Sequence, residues 1–330
     1  MTSYEVAALA GVAQPTVSRA LRGNGVAEPT RSRVVAAAAA LGYVPSDRGR
    51  ALATSQSNRI GIVVDDLQNA FYRSVIGDFE RVTALHGKQI MPFRDTNDDE
   101  ALISQLLAGS IDGVAMASAR LDSKLPAILQ ARGLPVVLIN RLASTPAVDS
   151  SVSDNLAGAR IVAERLMTLG HRRIGAIFGP SYSSNGRDRA RGFQEALAEQ
   201  GIALPPSAVR EVAYSHDEGY RALNDILDAD APPTGIFCGN DMIAIGALNA
   251  AKRRGMDVPR QLSIIGYDDM DASSWELVDL TTVRQGATEM NEAAARMLIA
   301  RIENPDRLVE HVVIPPVLVV RGTDGPPFAS

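Results

Sequence analysis

A single cysteine, Cys238, among 330 residues excludes an internal disulfide framework and fits a reducing compartment. No apolar run is long enough to span a bilayer and no signal-peptide pattern is present, so a soluble, cytoplasmic protein is expected. The four histidines (86, 171, 216 and 311) lie too far apart for metal-ligand spacing. A P-loop and a nucleophile elbow are missing as well, and the GNG at 23–25 lacks the third glycine and preceding strand of a dinucleotide site. Neither an enzyme nor a resident cofactor is therefore expected. Positive charge is scarce: the formal charge is −5, which taken globally argues against a nucleic-acid partner. Its distribution along the chain points the other way. Residues 1–50 hold six arginines against Glu5, Glu28 and Asp47, a surplus of three, which leaves −8 on the other 280 residues. A small basic module is attached to an acidic body.

The module opens with two short helical patterns. Thr2 and Glu5 have the spacing of a capping box, so a helix starts at once. Val6, Leu9 and Ala10 fall on one face, and Gly11 closes the helix. A second amphipathic run buries Val17 and Leu21 while turning Gln14, Thr16, Ser18 and Arg19 outward. Such a polar second helix fits the major groove of DNA, where arginine donates two hydrogen bonds to guanine. Pro15 has no N–H and offers a base only apolar contact. A third helix is expected from about Pro29 to Leu41, ended by Gly42 and Pro45. Residues 46–58 are polar, carry no hydrophobic stripe, and read as a linker.

From Arg59 onward short apolar runs alternate with amphipathic stretches: RIGIVV, KQIMPF, DGVAMAS and LPVVLIN, then, after a strand near 148–153 and a helix from Asn155 to Leu169, RRIGAIFG, VREVAYS, TGIFCGN and LSIIGYDD. The alternation predicts a doubly wound α/β body with parallel sheets, and its two sets of units predict two lobes. Ligands of open α/β sheets bind beyond the carboxyl ends of the strands. There the sequence places Asp65 and Asp66, Asn140 and Arg141, Asp154, Tyr214 and Ser215, Asn240 and Asp241, and Asp268 and Asp269. Two facing rims of this kind form a polar cleft for a small hydroxylated ligand. Trp275, the only tryptophan, either roofs that cleft or belongs to a core.

The stretches VAALAGVAQPTVSRALRG, VAEPTRSRVVAAAAALGYVP and RGRALATSQSNRIGIVV resemble the headpiece and hinge of the lactose-repressor/galactose-repressor family of bacterial transcriptional regulators. GHRRIGAIFGP, RARGFQEAL, GNDMIAIGAL, SIIGYDD, LTTVRQ and VVRGT continue the likeness in the family's order. The resemblance implies an all-α helix-turn-helix headpiece (1–45), a hinge (46–58), and a periplasmic-binding-protein-like core (59–330) of two doubly wound lobes. Crossings between lobes are then expected near 167, 285 and 315, giving lobe 1 about 59–167 and 285–314 and lobe 2 about 168–284 and 315–330. DNA contacts are implied for Gln14, Pro15, Thr16, Ser18, Arg19, Arg22 and Arg50, with Leu52 wedged into the minor groove. Effector contacts are implied for Phe71, Tyr72, Asn140, Arg141, Asp154, Arg189, Tyr214, Asn240 and Asp268. Ala13 and Ala27 stand where the family commonly has serine caps, which weakens each helix start by roughly 1 kcal/mol, and Arg22 replaces a common asparagine.

The function implied is that of a homodimeric regulator, a repressor acting on double-stranded DNA at a pseudo-palindromic operator under control of a sugar. Paired hydrogen bonds from Asp and Arg to neighbouring hydroxyls, with an aromatic ring over the apolar face, suit a pyranose. The same groups suit a purine or nucleoside. A sugar-binding transport protein is a third reading, but it needs an export signal where this chain has a helix-turn-helix. Each acid singled out is also open to a purely structural reading, as a helix cap or a surface ion pair.

Overall fold

The computed structural model describes residues 1–21, 25–44, 57–67, 70–96, 98–144 and 148–328. The chain divides into two compact units, Met1–Asn58 and Arg59–Ser330. In the first, α1 (Ser3–Ala10), α2 (Gln14–Leu21) and α3 (Glu28–Ala40) enclose a core of Val6, Ala7, Ala10, Val17, Ala20, Val34, Ala37 and Ala38. The capping box forms in both directions: Thr2 N–H donates to Glu5 Oε2 at 2.8 Å and Glu5 N–H to Thr2 Oγ1 at 3.3 Å. Gly11 ends α1 at φ +63°, a left-handed conformation that glycine adopts freely. One expectation fails here. Leu9 is 58% exposed, because α1 turns its alanine face (Ala7 and Ala10) inward and the small side chains let the helices approach closely. Leu21 is half-buried at the edge of the core, and Ala27, the N-cap of α3, supplies no side-chain cap.

The second unit holds two parallel sheets. The first has the order β11-β5-β4-β3-β1-β2, from β1 (Arg59–Val64), β2 (Gln89–Arg94), β3 (Gly113–Met116), β4 (Val136–Ile139), β5 (Asp149–Ser153) and β11 (His311–Ile314). Helices α4 (Ala70–Ala84) and α11 (Ala287–Glu303) cover one face, and α5 (Asp99–Ala108) and α6 (Leu125–Ala131) the other. The second sheet has the order β7-β6-β8-β9, from β6 (Ile174–Phe178), β7 (Val209–Glu211), β8 (Gly235–Cys238) and β9 (Ser263–Ile265). Here α7 (Asn155–Thr168) and α8 (Ser184–Glu199) pack on one side, α9 (His216–Leu227) and α10 (Asp241–Arg253) on the other. Central strands β1, β3, β4, β6 and β8 are covered on both faces, which is why their sequences are nearly unbroken apolar runs rather than alternations. In each sheet the strand order reverses beside the first strand of its lobe, and those two switch points face the cleft.

The chain passes between lobes three times. Two of the passages lie at Gln285, between β10 (Thr282–Arg284) and α11, and at Pro315–Pro316, between β11 and β12 (Val317–Val319). The other lies at Asp154, not near 167. Helix α7 sends Ala159, Val162, Ala163 and Leu166 into the core of the second lobe with Ile174, Phe193 and Phe237, so it belongs wholly to that lobe. The passages are tied together: β10 and β12 pair antiparallel, with Thr282 opposite Val319, and Asp154 N–H donates to Ile314 O at 3.0 Å.

Candidate functional site

In the headpiece, Val17 and Ala20 anchor α2 to the core while Pro15 and Arg19 are exposed and Gln14, Thr16 and Ser18 half-exposed. One face of α2 is thus free to meet another surface. Gln14 is also tied back to α1, its Nε2 donating to Ser3 Oγ at 3.1 Å, which fixes the first turn of the exposed helix. Arg22, Arg50 and Leu52 lie outside the described residues.

In the core, the switch points converge on a pocket between the lobes. The first lobe contributes Phe71 and Tyr72 from α4 and Asn140 and Arg141 from the end of β4. The second contributes Arg189 from α8, Tyr214, Asn240 at the start of α10 and Asp268 beyond β9, with Gln285 at a crossing. Gly179, at the end of β6, makes room for the Tyr214 ring, which a Cβ there would strike. Phe71 and Tyr72 meet edge to face at 5.4 Å. Burial pushes the Tyr72 and Tyr214 phenols upward, so both remain neutral donors at ordinary pH.

Arg189 is the pivot of this pocket. It is 1% exposed, and its Nε donates to Asn155 Oδ1 at 2.8 Å and Nη1 to Gly239 O at 2.7 Å. Its Nη2 lies 3.0 Å from Asp268 Oδ1. The guanidinium stacks on the Tyr267 ring at 3.7 Å, and Tyr267 fits only because residue 158 is glycine: a Cβ there would overlap its hydroxyl. Burial raises the Asp268 carboxyl above its usual range, and the charge of Arg189 opposes that rise. Asp268 sits at φ +121° and Asp269 at φ +56°, uncommon for non-glycine residues. What holds them there is anchorage. Asp269 accepts from Arg284 at 2.7 Å and Arg321 at 2.6 Å, while buried Asp241 accepts from Thr282 Oγ1 at 2.5 Å, Ser273 Oγ at 2.7 Å and Met270 N at 2.9 Å. Burial and the nearby Asp268 push the Asp241 carboxyl up to about 7.

Two buried polar atoms of pocket-lining residues, Asn140 Oδ1 and Arg141 Nε, have no hydrogen-bond partner among the described residues. An acceptor and a donor left unpaired in this way cost free energy unless a ligand or water completes them. The pocket leaves about 20 Å³ of free space, roughly room for one water. The lobes are latched across it: Leu121 N–H donates to Tyr182 O at 3.0 Å and Leu142 N–H to Ser184 Oγ at 2.7 Å.

Eight of the nine residues named from the sequence for this cleft line the pocket. Asp154 does not; its carboxylate caps α7, accepting from Ala157 N at 3.0 Å, because it is the residue at which the chain enters that helix. Trp275 neither roofs the cleft nor enters a core, being 62% exposed after a short turn of helix. Two lining residues were missed. Gln285 donates to Asp268 Oδ1 at 3.2 Å and closes the LTTVRQ segment, and Asn185 accepts from Tyr214 at 3.4 Å in the first turn of α8. Gln285 follows the end of β10, the signal that marked the other rim residues, whereas Asn185 lies on a helix and carries no such signal.

Comparison with known proteins is decisive. The profile described as bacterial regulatory proteins, lacI family, matches residues 2–46, and that of the periplasmic binding protein-like domain matches residues 163–323. The HTH-type transcriptional repressor CytR of Escherichia coli (strain K12) is 33% identical over 307 residues, 92% of this chain and 90% of that protein. The chain belongs to the lacI family of bacterial regulatory proteins. This lacI-family chain also superimposes on the lac repressor dimer bound to operator and the anti-inducer ONPF, with TM-score 0.88, 26% identity and 98% of each chain covered. The transcriptional regulator CelR–cellobiose complex matches with TM-score 0.76 and 29% identity, covering 98% of this chain and 99% of that one. It is a DNA-binding transcriptional regulator with a ligand-binding core.

Proposed function

We propose that this lacI-family regulator is a homodimeric repressor whose operator affinity is set by a sugar held between the lobes of its core. The observation that carries the effector reading is the pair of unpartnered buried atoms, Asn140 Oδ1 and Arg141 Nε, on the wall of a pocket lined by charged, amide and aromatic side chains. A hydroxyl group both donates and accepts, so a polyhydroxylated ligand can supply a partner to either atom. A structural neighbour solved with cellobiose supports the same ligand class. For DNA, the exposed face of α2 supports a reading in which Gln14, Pro15, Thr16, Ser18 and Arg19 meet base edges, two copies on two half-sites.

Selection from random duplexes tests the DNA half. The full chain selects a pseudo-palindrome, and Arg19→Ala relaxes one base pair per half-site at a cost of about 1–3 kcal/mol. A loss uniform over all sequences would make Arg19 a phosphate contact instead. A thermal-shift panel of sugars and nucleosides tests the effector half: sugars raise the melting temperature and Asn140→Ala removes the response. Stabilisation by nucleosides with none by sugars overturns the sugar assignment.

A further inference from the structure

Gln14, the first residue of α2, is held by the protein itself. Its Nε2 donates to Ser3 Oγ at 3.1 Å, and both residues are half-buried where the opening turns of α1 and α2 meet. Ser3 is fixed in turn. It is the first residue of α1, inside the capping box that Thr2 and Glu5 close from both sides. Ala13, immediately before α2, has no polar side chain with which to cap that helix, so a bond from α1 orders its opening turn instead.

That bond restricts what the amide offers to anything else. A glutamine side chain has one carbonyl oxygen and a pair of N–H donors. With one N–H given to Ser3, Oε1 and a single N–H remain, and both are held in place. Adenine matches them in the major groove, presenting N6 as donor and N7 as acceptor, whereas guanine presents acceptors only. A free glutamine swings its NH2 toward either purine, and loses rotamer freedom each time it does so. We propose that Ser3 is a positioning residue for operator reading, holding Gln14 so that its amide pairs with an adenine in each half-site and discriminates against guanine; this rests on the reading of α2 as the helix that meets base edges. Ser3 itself needs no contact with DNA.

The test compares the full chain with Ser3→Ala, Ser3→Thr, Gln14→Ala and the Ser3→Ala/Gln14→Ala double variant, by selection from random duplexes and then by titration of each single-base-pair variant of the selected site at fixed salt. The parent is expected to select an A·T pair at one position of each half-site, and Gln14→Ala to become indifferent there. Ser3→Ala should lower the preference for A·T over G·C at that pair about three- to tenfold, the worth of one ordinary hydrogen bond, and leave the rest of the site and the affinity for random duplex as they are. Ser3→Thr keeps the hydroxyl and should keep the parent's preference. In the Gln14→Ala background Ser3→Ala should add nothing. Alanine is the better helix former, so a relaxed preference is not the result of a weakened α1, and an unchanged melting temperature verifies this. The positioning role is wrong if Ser3→Ala keeps the parent's preference, if Ser3→Thr behaves like Ser3→Ala, or if the Gln14-dependent pair is G·C. It is equally wrong if the loss is uniform over all sequences, which marks a phosphate contact, or persists without Gln14, which marks Ser3 as a base contact. In each of these cases α2 remains the reading helix as long as Gln14→Ala or Arg19→Ala alters the selected site. If neither does, both readings fall together.

Discussion

Replacing Arg189 by methionine isolates the interaction on which the pocket is built. The thioether retains most of the volume over the Tyr267 ring but deletes the donors to Asn155, Gly239 and Gln285 and the charge beside Asp268. Breaking a buried ion pair by removing one partner typically costs about 3–5 kcal/mol, because the other charge is stranded. Asp268 escapes part of that cost by keeping its proton. Its carboxyl is already raised by burial, and Arg189 is the leading influence holding it down, so in the variant it rises further. The sign follows: a folded-state value above the unfolded one means the native state binds more protons, so stability is fullest below the ordinary carboxylate value and is lost as pH climbs through the folded value. Urea unfolding of Arg189→Met followed by circular dichroism, from pH 4.5 to 8, should show stability declining with pH by up to about 1.4 kcal/mol per unit relative to the parent. Adding Asp268→Asn should abolish the extra slope and recover part of the loss. A variant with the parent's pH dependence, or a double variant no better than the single, would refute the account of Arg189 as the counter-charge of Asp268.

Three further outcomes are expected. Gly158→Ala drives a methyl into the Tyr267 hydroxyl and should lower stability by about 1–3 kcal/mol, read by thermal melting, with a parallel loss of ligand affinity as Tyr267 leaves Arg189. His171 is buried among Thr234, Ser263 and the Gly325 carbonyl, and burial holds it below its usual value of 6.5; the native state resists protonation, so unfolding free energy should fall as pH drops below about 6.5, and His171→Gln should be flat there. Asp241→Ala leaves the Thr282 and Ser273 hydroxyls and the Met270 amide without their acceptor; calorimetric ligand titration should show weakened binding through a loosened Asp268, whereas Asp241→Asn should retain more affinity.

The alternation of apolar and amphipathic runs conveys the element order, because a strand covered on both faces must be apolar throughout, and each of the eight apolar runs holds a parallel strand. The rim of the cleft was legible for the same reason: a polar residue following an apolar run marks a strand's carboxyl end, which reached Asn140, Tyr214, Asn240 and Asp268 directly. The family resemblance, not spacing, supplied Phe71, Tyr72 and Arg189, which lie on helices. Asp154 was misjudged because a carboxylate after a strand and before a helix reads equally as rim or cap, and only the position of the crossing decides between them. That crossing was itself misplaced, since nothing local in α7 says which of two similar sheets it covers. The inward turn of Asp241, adjacent to the cap Asn240, depends on hydroxyls up to 41 residues away and has no sequence signature.

The three interlobe passages act as one joint. Two of them form a hydrogen-bonded ribbon and the first is fastened to the end of β11, so bending one strand alone breaks bonds shared with its neighbours. Such a joint leaves the lobes a single swivel in place of many independent wobbles. A ligand in the cleft then acts less by setting an intermediate angle than by changing the ratio of shut to parted molecules, which confers a switch-like character on whatever reads the joint from outside.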